Sequence, residues 1–165
     1  MKATRWYGKQ DIRVESVDEP KIEQSSDVLL RVTSTAICGS DLHIYDGYIP
    51  TMEKGDILGH EFMGVVEEAG SKSNLKKGDR VIIPFQIACG SCYFCGRMQT
   101  ALCDNTNTAG AEAMRKAYGQ VAAGLFGYSH MYGAYPGGQE SKAPQPQTSR
   151  KNMAVNGELL ILPDW

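Results

Sequence analysis

Short apolar or β-rich stretches recur through the first half of the chain, and one of them alternates apolar with polar side chains. Ile12 to Val17 alternates apolar and polar residues, and Val28 to Val32 (VLLRV) is rich in β-formers. Phe62 to Glu67 and Val81 to Phe85 are two further short apolar runs. A residue pair that alternates this way buries one face and wets the other, so each run predicts a strand. Gly39, Gly59, Gly70 and Gly78 punctuate the runs, and Gly59, Gly64, Gly70 and Gly78 suit turns or close backbone approach. Many short strands with such turns predict a mainly β barrel.

The second half changes period. Ala109 to Ala123 is alanine-rich, and the pattern predicts one helix over Ala111–Tyr118 covering a core, stopped by Gly119. Gly124 to Gly138 is rich in glycine and tyrosine and predicts an irregular loop packed on the barrel, with His130 and the Met and Tyr residues near it in packing roles. Residues 140–157 are polar, with two prolines and almost no large apolar side chain, which predicts an exposed or disordered insert. Leu159 to Leu162 predicts a short terminal strand within 158–165. No internal repeat is present, and no G-x-G-x-x-G run follows a strand, so the fingerprint of a dinucleotide-binding domain is missing.

With 165 residues the chain is long enough for one domain with a real core. Its formal charge of −2 comes without any Lys/Arg stripe; Lys72, Lys76, Lys77 and Arg80 are diluted by Asp79, so no nucleic-acid partner is expected. No segment reaches the length of a membrane span, so no membrane partner is expected either. The first ten residues lack the apolar run of a secretory signal, which predicts a reducing, cytoplasmic setting where clustered thiols bind metal rather than pair.

Thiols are indeed clustered. Cys89, Cys92, Cys95 and Cys103 fall within fifteen residues, the first three separated by two residues each and the last by seven. Such spacing aims several sulfurs inward on short turns and brings the chain back for a fourth, as a tetrahedral zinc requires. Buried thiols, a redox pair and an iron–sulfur cluster are the alternatives. The bacterial ferredoxin run has three residues before its last cysteine and a proline after it, whereas here there are seven and then Asp104.

Cys38, the fifth cysteine, stands apart from the cluster, in Cys38-Gly39-Ser40-Asp41 with His43 beyond, and Gly59-His60-Glu61 opens a later strand. Cysteine and histidine are ligands of catalytic zinc, which keeps a position for substrate and acidifies the water or alcohol held there. Ser40 is placed to pass a hydroxyl proton outward with His43 as the next carrier, and Asp41 to fix the second ring nitrogen of His60. The bland alternatives are a small buried residue at 38, a core histidine at 60 and a loop histidine at 43.

The strings AICGSDLHIYDG, ILGHEFMGVVEEAGS, LKKGDRVIIPF and CGSCYFCGRMQTALCD together resemble the catalytic domain of the zinc-dependent medium-chain alcohol dehydrogenases, and AGLFGYSH…GGQ resembles the formaldehyde-dehydrogenase-like branch. The resemblance covers residues 1–139 and again the closing ILPD. It implies a GroES-like barrel over 1–139 with a structural zinc lobe at 86–104 held by the four clustered cysteines. It implies that Cys38 and His60 ligate a catalytic zinc, that Glu61 is an acidic neighbour and alternative ligand, and that Ser40 and His43 occupy proton-relay positions.

The implied activity is hydride transfer between a small alcohol or aldehyde and NAD(P) in the complete enzyme. The alternative is a non-catalytic zinc-stabilised module, or a subunit that needs a separate nucleotide-binding (Rossmann) domain. In the family another protein ligand of the catalytic zinc lies beyond Trp165, and Asp164 sits in the wrong motif to replace it, so partial occupancy of that site and an inactive isolated chain are expected. The family also runs an apolar strand after GGQ; Glu140, Ser141, Lys142 and Ala143 stand there instead, so a degraded or displaced barrel strand is expected.

Overall fold

The alternating segments do form strands. The computed structural model describes residues 1–138 and the backbone of the strand at 143–145. The hairpin of β1 (Lys2–Gly8) and β2 (Asp11–Ser16) pairs Lys2 with Ser16 and Trp6 with Ile12. Next come β3 (Val28–Thr35), the short helix α1 (Gly39–Tyr45), β4 (Phe62–Ala69), β5 (Arg80–Ile83) and the two-residue β6 (Gln86–Ile87). The cysteine lobe, α2 (Ala111–Tyr118), β7 (Gly124–Leu125) and β8 (Ala143–Gln145) follow. The main sheet has the order β5-β4-β3-β8, with every neighbour antiparallel.

The period of two accounts for the core. Val28 and Leu30 of β3, Phe62 and Val66 of β4, and Val81 and Ile83 of β5 are buried, whereas their neighbours Arg31 and Ile82 are exposed. These six pack with Leu75, Ile87 and Phe126 in one cluster, with the Phe62 and Phe126 rings edge to face at 5.9 Å. A smaller cluster of Ile44, Met52 and Leu58 holds α1 against Trp6, whose indole N–H donates to the Ile44 carbonyl at 3.1 Å.

Several expectations change in detail. The run Val81 to Phe85 is not one strand: β5 stops at Ile83, because Pro84 has no N–H to offer a ladder, and pairing resumes at Gln86. β1 and α1 are present beyond the predicted elements. α2 has the predicted bounds, and Gly119 closes it in the left-handed conformation at φ 76°. The stretch Gly124–Gly138 is mostly irregular, and its tyrosines Tyr128, Tyr132 and Tyr135 are half-buried. β8 falls in the polar stretch after Gly138 and pairs with β3, Ala143 opposite Leu30 and Gln145 opposite Val28. The expectations for the remainder of 140–157 and for Leu159–Leu162 lie outside the described residues.

One crossing of loops sets the position of His60. Gly127 adopts φ 53°, and a Cβ there would stand 2.6 Å from the backbone of Gly59. Replacing Gly127 by Ala therefore adds both left-handed strain and a backbone clash. The expected loss is about 2–4 kcal/mol, or ~10 °C in Tm. Thermal melts of the metal-loaded wild type and Gly127→Ala check this; an unchanged Tm would show that the crossing has slack.

Candidate metal centres

Among the described residues two groups of metal-ligating side chains converge, and they differ in character. In the first, the Sγ atoms of Cys89, Cys92, Cys95 and Cys103 all lie within 4.8 Å of one another, Cys89–Cys95 and Cys92–Cys103 at 4.0 Å each. A tetrahedron with Zn–S bonds of roughly 2.3 Å has edges of about 3.8 Å, so the cage already has the size of a zinc tetrathiolate. All five cysteines are free thiols. Short 3₁₀ turns at Cys95–Arg97 and Thr100–Leu102 reverse the chain between the third and fourth sulfurs. The cage is closed: Cys89, Cys95 and Cys103 are buried, and Cys103 is inaccessible.

Backbone and amide donors are aimed at these sulfurs. Cys89 Sγ accepts N–H groups from Ser91 at 3.5 Å and Cys92 at 3.3 Å, and the Asn105 amide at 3.4 Å. Burial pushes the Cys89 thiol up, but the Ser91, Cys92 and Asn105 donors outweigh it and bring it down to about 6. Burial, reinforced by the Cys92 sulfur, pushes Cys95 up to about 12, and burial also raises Cys103. A tetrathiolate site needs its sulfurs ionised, so a divalent ion must expel at least the protons that burial favours on Cys95 and Cys103. Affinity then rises with pH, by about 100-fold or more per unit between pH 7 and 8. Competition with a chromophoric chelator, corrected for the chelator's own protonation, measures this slope; a flat profile would mean that the cage binds without displacing protons.

The second group is Cys38, Asp41 and His60. The register of β3 and β4 puts Thr35 opposite Phe62, and the Glu61 carbonyl accepts both the Ala36 N–H at 2.9 Å and the Thr35 hydroxyl at 3.1 Å. Those bonds bring the exit of one strand beside the entrance of the next, so Cys38 Sγ and His60 Nε2 stand 3.3 Å apart. Cys38 is also the N-cap of α1: its sulfur accepts the Ser40 N–H at 3.4 Å, while Asp41 Oδ2 accepts the Cys38 N–H at 2.8 Å. The other Asp41 oxygen lies 3.4 Å from His60 Nδ1. One buried carboxylate therefore reaches both Cys38 and His60.

Asp41 Oδ1 and His60 Nδ1 are buried without an in-line hydrogen bond. A cation held at Nε2 fixes the ring proton on Nδ1, with Asp41 as the acceptor in reach, so the donor set fits a metal. The sulfur and imidazole open onto a cleft of about 270 Å³ lined by Ser40, Glu61, Phe85, Leu125, Tyr128 and Tyr132 as well. His60 meets the edges of Phe85 and Tyr128, with ring centroids at 6.5 and 6.0 Å. Burial raises Tyr128 above the usual phenol range, which keeps its hydroxyl protonated. An adjoining groove of about 420 Å³ shares His60, Glu61 and Phe85 and runs along the ends of β3, β4 and β5.

The remaining expected residues are placed less uniformly. Glu61 lines the cleft but is outside the closely grouped three. Ser40 lines it too, whereas His43, one helical turn on, is exposed and packs edge-on against Tyr48 at 5.9 Å rather than lining the cleft. His130, expected only to pack, has Nε2 2.9 Å from Asp56 and Nδ1 3.6 Å from Glu53, and so ties the Tyr128–Tyr132 segment to the loop before β4. The polar pair Thr106 and Asn107, both fully buried, carried no motif signal.

Residues 24–139 match the alcohol dehydrogenase GroES-like domain. A zinc-type alcohol dehydrogenase-like protein of Bacillus subtilis, AdhB, is 51% identical over 140 residues, which are 84% of this chain and 34% of that protein. The formaldehyde dismutase of Pseudomonas putida is 42% identical over 124 residues, 72% of this chain and 31% of that one. Among solved structures, the alcohol dehydrogenase TADH from Thermus sp. ATN1 superposes with a TM-score of 0.78 at 36% identity, over 99% of this chain and 40% of the other. The chain thus spans about a third of the length of the curated relatives it matches. None of the helices among the described residues is long and apolar enough to cross a membrane.

Proposed function

Since the chain belongs to the alcohol dehydrogenase GroES-like domain family, we propose that it is the metal-binding catalytic part of an oxidoreductase acting on a small alcohol or aldehyde, with NAD(P) carried by a separate nucleotide-binding unit. The observation that carries this reading is the 3.3 Å approach of Cys38 Sγ to His60 Nε2 at the wall of an open cleft, separate from the closed four-cysteine cage. Cys38 and His60 would hold a zinc ion, with Glu61 as its acidic neighbour; when bound, zinc polarises the oxygen of an alcohol or aldehyde.

The chain's own residues set the conditions for that chemistry. Asp41 orients thiol and imidazole together, through the Cys38 N–H and His60 Nδ1. Phe85, Leu125, Tyr128 and Tyr132 exclude water and give the cleft a volume suited to a substrate of a few heavy atoms. The Ser40 hydroxyl takes the substrate's hydroxyl proton. His43 stands three residues on, on the same face of α1, and passes that proton to solvent. The hydride belongs to the nicotinamide cofactor, not to a side chain of this chain.

The test is ligand binding at the metal. Chain carrying zinc in the four-cysteine cage and Co(II) at Cys38/His60 is titrated with short primary alcohols and formaldehyde while the visible spectrum is followed. A saturable spectral change that Cys38→Ser abolishes is expected. A spectrum indifferent to every alcohol and aldehyde tried would refute the assignment.

A further inference from the structure

Thr106 and Asn107 follow Cys103 by three and four residues, and both are fully buried. They are polar, and the Thr106 bonds, together with one bond of Asn107, join segments distant in sequence. The Thr106 hydroxyl donates to the Ile87 carbonyl at 2.7 Å and accepts the Gly124 N–H at 3.0 Å, while its carbonyl accepts the Tyr135 hydroxyl at 2.6 Å. The Asn107 amide donates to the Met131 carbonyl at 2.9 Å, and its oxygen accepts the Gly110 N–H at 3.1 Å. Met131 lies in the 3₁₀ turn His130–Tyr132, next to Tyr132, which with Tyr128 forms the aromatic wall of the cleft. The two tyrosine rings meet edge to face at 5.7 Å, and Tyr128 in turn meets His60.

The other end of this bridge is an element with two states. The buried cluster of the cysteine lobe consists of Ala88, Ala123 and the cysteines, whose small side chains supply little apolar burial without metal. With a metal in the cage, Cys103 is fixed and the backbone leading to Thr106 and Asn107 is fixed with it.

We propose that Thr106 and Asn107 are positioning residues that couple the four-cysteine lobe to the Cys38/His60 cleft, so that metal in the lobe raises the metal affinity of the cleft by ordering its Tyr128–Tyr132 wall. The coupling rests on the reading that Cys38 and His60 hold a metal. A coupling of this kind commonly amounts to about 5–150-fold in affinity, and here the expected value is about tenfold.

The full chain, with zinc in the lobe, is titrated with Co(II), and occupancy of the cleft is followed by visible absorption. Thr106→Val keeps shape and removes the hydroxyl; Asn107→Asp removes the donor to Met131; Thr106→Ser keeps the hydroxyl. Thr106→Val and Asn107→Asp are expected to retain lobe zinc against a chelator, to bind cleft Co(II) about tenfold more weakly, and to alter its spectrum, with Thr106→Ser restoring affinity to within about twofold of wild type. The coupling is overturned if both variants match wild type at the cleft while keeping lobe zinc. It is also overturned if they lose the lobe zinc itself, or if Thr106→Ser is as weak as Thr106→Val. A wild-type chain that binds no Co(II) at the cleft overturns the metal reading of the site, and the coupling with it.

Discussion

Withdrawing metal from the four-cysteine cage is expected to unfold the lobe while the barrel keeps its sheet. The barrel core contains Leu30, Phe62, Val66, Ile83, Ile87 and Phe126 and does not need the lobe for its burial. The segment from Cys89 to Cys103, by contrast, has no buried side chain larger than that of cysteine, so its order depends on the bonds to the ion. Structural zinc contributes on the order of 10 kcal/mol to the folding of small metal-dependent units, far more than such side chains supply by burial. Limited proteolysis reads the effect directly, because Tyr93 is exposed beside Phe94 in the middle of the lobe. Cleavage after these aromatics should be slow in loaded protein and fast after chelation. Cys103→Ser should behave as the chelated form at any zinc concentration that saturates wild type. Equal cleavage rates in all three would show that the lobe folds without metal.

The second large effect belongs to His60. Loss of an outer partner of a metal ligand commonly costs 10–100-fold in affinity. Asp41→Asn is expected in that range, because the carboxylate touches Cys38 and His60 without replacing either. His60→Ala removes a donor from a site with few others, so its loss should exceed about 100-fold. The four-cysteine site should keep its ion, since the two groups share no residue, with its affinity lowered by no more than the roughly tenfold coupling. Metal content after dialysis separates the cases: His60→Ala should retain only the lobe ion. Retention of a second ion by His60→Ala at wild-type affinity would remove His60 from the site.

Much of this was legible in the sequence wherever the signal was local. The β-rich run Val28–Val32 and the short apolar run Phe62–Glu67 gave β3 and β4, because both are bounded by turn residues and are of strand length. The spacing of the four cysteines gave the cage, and Ala111–Tyr118 gave α2 with its glycine stop. α1 was harder to see. Its N-cap is Cys38 rather than Ser, Thr, Asp or Asn, although Asp41 three residues on supplies the other half of a capping box. β1 is half-buried along most of its length, so it lacks a clear wet and dry face. The hydrogen-bond contact of His130 with Asp56 joins residues 74 apart in sequence, and the Thr106–Asn107 bridge uses single polar residues that form no motif. Such contacts are fixed by the assembled fold and leave no periodic trace. Had α1 been recognised, the three-residue spacing of Ser40 and His43 would have placed them on one helical face from sequence alone.

A titration of metal-free chain with Co(II), followed in the ultraviolet and visible, tests most directly whether this molecule carries one closed and one open metal site. Two phases are expected: a tight first equivalent with the intense sulfur-to-metal bands of a four-thiolate site, then a weaker second with a mixed sulfur–nitrogen spectrum that vanishes in Cys38→Ser. Saturation at a single equivalent, or a second phase that survives Cys38→Ser unchanged, would contradict it.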